Sequence, residues 1–262
     1  MKLGIDRKNA FITGGANGIG EAISTDLAKA GVNIYVTSRT KKNILKLKKK
    51  LKKYKVKVDG VTVDFLRKNY LEKIKKFLKS KKIEILVNNA GHNLNITNPY
   101  CSKKDWNNVM ELNFFNSVNL CNYLIPKMKK NGWGRIVNIT SCAGLENMGP
   151  VTYGVAKSAL TAYTRTMGRI LASEAKNLVM SAVFPGVVIT KGGHWDKILK
   201  NDPNRAKKYL KERMPIGRFG KPSEISPIVV FHCSELASFS HGAIVPADAG
   251  QSRHYMYFNY LS

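Results

Sequence analysis

Short apolar runs alternate along this chain with longer segments in which apolar residues recur every three or four positions. The runs fall near Ala10–Thr13, Asn33–Thr37, Lys57–Val63, Glu84–Asn88, Arg135–Thr140, Leu178–Phe184 and Ala243–Pro246. Each predicts a strand, and the amphipathic stretches between them predict helices. Regular strand–helix alternation implies a parallel sheet with helices on both faces. Ile83-Glu84-Ile85-Leu86-Val87 and Ile136-Val137-Asn138-Ile139 are mostly apolar on both faces, as strands buried in such a sheet should be. The expected fold class is α/β: one doubly wound domain over residues 1–262 with a seven-stranded parallel sheet. Residues 191–214 interrupt the alternation and are expected to form a helical insertion placed as a substrate lid.

The first strand runs into Thr13-Gly14-Gly15-Ala16-Asn17-Gly18-Ile19-Gly20, and a helix follows. Glycine permits positive φ and close backbone approach. A helix N-terminus offers free N–H groups and a positive dipole end to a pyrophosphate. A glycine cluster alone is common. Its place between a first strand and a helix makes this a Rossmann-type dinucleotide loop, with Gly14, Gly15, Asn17, Gly18, Ile19 and Gly20 as cofactor-binding candidates. A site selective for NAD places an acid at the end of the second strand. Here Ser38 and Arg39 stand instead, and a guanidinium can pair with a 2′-phosphate. The expected cofactor is NADP(H) over NAD(H), against the bland reading of Arg39 as one more solvated cation. Asp64, ending the third strand, either accepts from the adenine amino group or caps the next helix.

Tyr153 and Lys157 lie four residues apart on a predicted helix, hence on one face about a turn apart. An ammonium beside a phenol is expected to lower the phenol's pKa, giving a group that exchanges a proton near neutral pH. Ser141 lies at a strand end twelve residues upstream, where an oxyanion-side donor belongs.

These features occur in order with Asn88-Asn89-Ala90-Gly91, Asn113 and Pro185-Gly186 followed by Thr190. Across nearly its whole length the chain resembles the short-chain dehydrogenase/reductase family. The resemblance implies a catalytic tetrad of Asn113, Ser141, Tyr153 and Lys157. Tyr153 is then the general acid of reduction and the base of oxidation, and Ser141 holds the substrate oxygen. Lys157 holds the nicotinamide ribose and tunes Tyr153, while Asn113 keeps a water in a proton relay. It also implies cofactor contacts from Asn89, Ala90, Gly91, Tyr153, Lys157, Pro185, Gly186, Val188 and Thr190. Two places depart from the family pattern: Met180-Ser181 where Val-Asn is frequent, and Asp248-Ala249-Gly250 in place of Asp-Gly-Gly.

Candidate substrate residues are polar: His92, Asn93 and Asn95 after the fourth strand, Glu146 and Asn147 after Ser141, His194 and Trp195 opening the insertion, and Arg253 with His254 on the tail. Several could equally be solvent-facing loop residues. Buried donors left unpaired by a lipid chain would cost roughly 1–3 kcal/mol each. The expected substrate is therefore a small polar carbonyl or alcohol such as a sugar or polyol. The alternatives are 3-oxoacyl-carrier-protein reduction and a non-enzymatic dinucleotide sensor or nucleic-acid-binding protein. The tetrad argues against the last.

Charge adds a question rather than an answer. Lys and Arg number 44 against 17 acids, a net +27. The lysines concentrate at 41–57 and 67–82, where they read as solvated outer faces of two helices without interleaved aromatics, so no specific nucleic-acid partner is expected. Cys101, Cys121, Cys142 and Cys233 show no metal or disulfide spacing and read as free thiols of a reducing cytoplasm, with no metal site. No signal peptide is expected. No run approaches the roughly 18 apolar residues of a membrane span. The helix near 152–172 is too apolar to be fully solvated and carries small residues. The tail after Gly250 is rich in Tyr, Met and Phe, residue types enriched in interface cores. A homo-oligomer, tetramer or dimer, is expected.

Overall fold

The computed structural model describes residues 2–146 and 148–252. Seven strands form one sheet: β1 (Asn9–Ile12), β2 (Asn33–Ser38), β3 (Val58–Thr62), β4 (Ile85–Asn88), β5 (Gly134–Ile139), β6 (Leu178–Pro185) and β7 (Ile244–Ala247). All pairs are parallel, in the order β3-β2-β1-β4-β5-β6-β7. The order reverses between β1 and β4. In such sheets the crevice at the carboxyl ends of these two strands is where a ligand sits. The expected doubly wound single domain is what forms.

Alternation within the strands assigns the two faces. Ile12, Val36, Val87 and Val183 point to one side, where they meet Ile23 and Leu27 of α1 (Gly18–Lys29), Ile44 and Leu47 of α2 (Lys41–Leu51) and Val229 of α9 (Pro222–His232). Phe11, Tyr35, Leu86 and Ile136 point to the other. There they pack on Ile74 of α3 (Tyr70–Leu78), Leu124 of α5 (Asn116–Lys130) and Leu171 of α6 (Val151–Glu174). Burying one such side chain is worth about 1.5–3 kcal/mol, so the sheet core is where most of the stability resides. The basic helix α2 shows the expected division: Ile44, Leu47 and Leu51 are buried, while Lys41, Lys42, Lys46, Lys49 and Lys50 are exposed.

Polar groups inside the core tie the elements that carry chemistry. Asn88 Nδ2 donates to Asn138 Oδ1 (2.8 Å), and Asn138 Nδ2 donates to Thr164 Oγ1 of α6 (2.8 Å). Both asparagines are buried, so breaking this chain would strand a polar group at a cost of about 1–3 kcal/mol. It fixes α6 against β4 and β5. Arg135 is also buried. It donates to the carbonyls of Ser234, Gly134 and Asn177, and burial lowers its pKa.

The 191–214 segment folds as α7 (His194–Asn201) and α8 (Pro203–Arg213). Their apolar faces make a separate small cluster with Ile198, Ala206 and Phe219. Among the described residues no helix is long and apolar enough to cross a membrane. All four cysteines are free thiols, and Cys121, Cys142 and Cys233 are buried.

Candidate active site

The glycine loop spans β1 and the start of α1. Gly14 and Gly18 have φ of +62° and +53°, in the region that favours glycine. A Cβ on Gly20 would lie 2.3 Å from the Gly14 carbonyl oxygen, and one on Gly15 would lie 2.5 Å from Val36 Cγ1. The loop is therefore locked by close approach, to main chain at Gly20 and to the Val36 side chain at Gly15. Thr37 Oγ1 accepts from the Gly14 N–H (2.9 Å), and Asn89 Nδ2 donates to the Thr13 carbonyl (2.9 Å). Thr13 Oγ1 accepts from the N–H groups of both Asn89 and Ala90 (2.9 Å each). These bonds close β1, β2 and β4 around the crevice. Thr13 and Thr37 escaped the sequence reading because their partners are set by sheet register, not by local motif. At Asn17 the chain enters α1 extended, and among the described residues no side chain caps the helix. Its first N–H groups and its dipole suit a pyrophosphate. Thr190 faces this loop: a Cβ on Gly18 would lie 3.0 Å from its Cγ2. The cradle thus fits a dinucleotide.

Arg39 is exposed at the end of β2 and makes no ion pair among the described residues. Ser38 is buried, its Oγ accepting from the Thr40 N–H (3.4 Å). Asp64 is exposed. It accepts from the Leu66 N–H (3.0 Å) and lies 3.8 Å from Arg67, so it already serves its own turn.

Across the crevice, the four expected tetrad residues come from three elements. Asn113 is buried in a π-turn, Glu111–Phe115, inserted between α4 (Lys103–Met110) and α5. Such turns break helical spacing to aim a side chain. Asn113 Nδ2 donates to the carbonyls of His92 (2.9 Å) and Val109 (2.8 Å), and its Oδ1 accepts from the His92 N–H (3.0 Å). Its side chain therefore clamps the strand end at His92. Only one lone pair of Oδ1 is left for the relay water that the family resemblance implies. Lys157, on α6, is buried and donates from Nζ to the Ile139 carbonyl (2.9 Å). Gly91 lets these groups converge: a Cβ there would lie 2.7 Å from Asn113 Oδ1 and 2.9 Å from Lys157 Nζ.

Ser141 follows β5 and heads a short turn, Cys142–Gly144, its Oγ accepting from the Ala143 N–H (3.2 Å). The Tyr153 phenol lies near enough for the Ser141 hydroxyl to ease its ionisation. The expectation of a lowered Tyr153 pKa is corrected by the geometry. Burial pushes the phenol up to about 12, Ser141 pulls against this, and nearby Cys142 adds to the rise. Lys157 Nζ lies 5.8 Å from the Tyr153 ring centre and is engaged with Ile139. Burial in turn brings Lys157 down to about 8.

Among the substrate candidates, His92 is the best fixed, its backbone held by Asn113. Its Nδ1 accepts from the Leu94 N–H (2.8 Å), so the neutral ring carries its proton on Nε2. Burial lowers its pKa, as do Arg39, His194 and Lys197. Asn93 Oδ1 accepts from the Asn95 N–H (2.9 Å). Glu146 is half-buried, with its N–H donating to the Cys142 carbonyl (2.9 Å). His194 is exposed and stacks edge-on against Trp195. Trp195 itself packs on Tyr209 (4.2 Å between centres) and Phe219 (5.0 Å). Asn147, Arg253 and His254 lie outside the described residues, as does the aromatic tail. Pro185 ends β6, and Gly186 and Val188 line a cavity of about 410 Å³ with Met214, Ile225 and Gly250. That cavity touches none of the tetrad residues, so the open crevice rather than the cavity is the candidate site.

The short chain dehydrogenase family model matches residues 8–196. The chain belongs to the short-chain dehydrogenase family. It is 33% identical to the 3-oxoacyl-(acyl-carrier-protein) reductase FabG of Aquifex aeolicus, over 95% of this chain and 99% of that one. The L-sorbose reductase of Gluconobacter frateurii, solved with NADPH and L-sorbose, superposes with a TM-score of 0.88 at 30% identity, covering 96% of this chain and 98% of that one. A 7α-hydroxysteroid dehydrogenase solved with NADH and 7-oxo glycochenodeoxycholic acid superposes at 0.85 with 28% identity, covering 96% of each chain. This short-chain dehydrogenase is thus an NAD(P)-dependent oxidoreductase interconverting a carbonyl and an alcohol.

Proposed function

We propose that the chain reduces the ketone of a small polyhydroxylated substrate with NADPH, using Asn113, Ser141, Tyr153 and Lys157. The observation that carries this reading is the placing of Tyr153 on α6 with the Lys157 ammonium 5.8 Å from its ring centre, the phenol keeping its proton at neutral pH as phenols do. A group poised as an acid suits reduction, where the developing alkoxide must be protonated. NADPH, when bound, supplies the hydride. Ser141 donates to the substrate oxygen and holds it near the phenol. Tyr153 gives its proton to that oxygen. Lys157, charged below a pH of about 8, stabilises the phenolate that remains and offers N–H donors to the ribose. Asn113 fixes His92 and leaves an acceptor for water. Arg39 reads the 2′-phosphate, and the α7–α8 segment covers the substrate.

Substrate polarity rests on His92, whose backbone is held by Asn113 and whose Nε2–H is left as a donor within the field of Arg39, His194 and Lys197. A wall of donors suits hydroxyl groups better than an acyl chain. The L-sorbose reductase neighbour supports the same class. Reduction of a 3-oxoacyl carrier-protein thioester is the second reading. It is favoured by the FabG relatives and by the net +27, which would attract an acidic carrier. The assembly reading rests on Phe115, Val151, Val155 and Ile170, exposed apolar residues in and beside α5 and α6 that suit a homo-oligomer. A panel of ketoses, polyols and a 3-oxoacyl thioester, each with NADPH and NADH and followed at the nicotinamide absorbance, tests the proposal. Ketose turnover with NADPH supports it. Turnover of the thioester alone replaces it with the second reading.

A further inference from the structure

We propose that Gln251 is a positioning residue that latches the α7–α8 segment to the catalytic turn; this rests on the site assigned above. The chain leaves β7 through a tight hook. Ala249 (φ 56°) and Gly250 (φ 75°) are both left-handed, which turns the backbone inward. Asp248 holds the hook closed, its carboxylate accepting from the N–H groups of Gly250 (3.1 Å) and Ser252 (2.8 Å), while Gln251 N–H donates to the Asp248 carbonyl (3.1 Å). Gln251 is delivered into the interior and is only 6% exposed.

Its amide then meets three segments at once. Oε1 accepts from the Val187 N–H (2.9 Å) and from the Cys142 thiol (3.8 Å), and Nε2 donates to the Tyr209 hydroxyl (2.6 Å). Cys142 is the neighbour of Ser141 in the catalytic turn. Val187 starts the strand exit that leads to Thr190. Tyr209 belongs to α8 and sits in the aromatic cluster with Trp195 and Phe219. Gly186 makes room, since a Cβ there would lie 2.7 Å from Gln251 Oε1. An amide is the side chain this junction requires, because it must accept on one end and donate on the other. A single neutral group thereby sets the seat of α8 relative to Ser141. Buried polar links of this kind specify one arrangement where apolar contact would permit several.

The test uses Gln251→Met, which keeps shape and loses every bond, Tyr209→Phe, which removes one hydroxyl, and the double variant. Limited trypsin cleavage of the full chain, mapped by mass spectrometry, reads the latch whatever the substrate. Cleavage after Lys197, Lys200, Arg205, Lys207 and Lys208 should quicken about tenfold in Tyr209→Phe, the worth of one lost buried hydrogen bond, and at least as much in Gln251→Met, which loses all three. The double should be no faster than the quicker single, and cleavage within α2 should be unchanged. With L-sorbose as the probe ketone, KM should rise while kcat and NADPH affinity stay within about threefold. Uniform acceleration across the chain, multiplied effects in the double, or no acceleration in either single variant would overturn the latch. Failure to turn over L-sorbose, with the cleavage pattern as described, would count against the proposed substrate and leave the latch standing.

Discussion

The two walls of the crevice are held by different means. The cofactor wall is a tight loop tied to the sheet by main-chain approach and by hydrogen bonds from side chain to main chain. Gly20 approaches the Gly14 carbonyl, Thr13 and Thr37 bind main-chain N–H groups, and Asn89 ties β4 to the loop. The wall beyond β6, proposed above to cover the substrate, is two short helices. They rest on a small aromatic cluster and one amide, and their outward cations are exposed. The first wall tolerates little change because Gly20 lies against a main-chain carbonyl and Gly15 against the buried Val36. The second can vary its surface freely, which suits a part that sets specificity.

The contrast can be broken or sharpened in several ways. The largest effect should come from pH acting on the rigid half. Lys157 has its folded pKa depressed to about 8 from an ordinary 10.5. Its charged form is disfavoured by burial, so folding stability should rise between about pH 8 and 10.5 as the unfolded chain holds the extra proton. Reductive turnover should do the reverse. It should be flat through neutrality and fall about tenfold per unit above pH 8, so about a hundredfold by pH 10, as the ammonium is lost. A pH–rate profile flat to pH 10 would separate Lys157 from the chemistry.

Next is the cofactor phosphate. Arg39→Ala should weaken NADPH binding by about 1.5–3 kcal/mol and leave NADH nearly unchanged, read by fluorescence titration. Equal losses would mean that Arg39 does not read the 2′-phosphate.

One added methyl should then distinguish the two walls. Gly20→Ala puts a Cβ 2.3 Å from a carbonyl oxygen and should cost about 1–3 kcal/mol, with loss of cofactor affinity. Gly217→Ala, where nothing among the described residues lies within 4 Å, should cost only the left-handed strain of about 1 kcal/mol and keep cofactor affinity. Similar affinity losses in both would erase the distinction.

The smallest effect should be at the hook. Ala249 stands left-handed where the family pattern has glycine. Ala249→Gly should raise stability by up to about 1 kcal/mol, visible as a small rise in Tm.

What was legible in the sequence follows the same division. The strands, the place of the glycine loop after β1 and the place of Tyr153 and Lys157 together on one helix were readable because periodicity and local spacing determine them. The strand ranges differ from the expected ones by a residue or so at their ends. Tyr153 protonation was misjudged because the sequence shows the ammonium four residues away but not the burial of the phenol or the Ile139 carbonyl that engages Lys157. Asn113 was identified by motif, yet its clamp on His92 depends on a π-turn that no local pattern announces. Trp195, expected at the substrate, spends its ring on Tyr209 and Phe219, partners that only the packing of α7 on α8 supplies. Gln251 was passed over because a lone polar residue after Gly250 carries no signal until the hook turns it inward.

The central claim is that Tyr153 delivers the proton in a carbonyl reduction. Tyr153→Phe keeps the ring and removes only the hydroxyl. Turnover of the best ketone in the panel should fall by about 10² or more, while NADPH affinity, measured by fluorescence, stays within about twofold of the parent. Near-normal turnover in that variant would contradict the account.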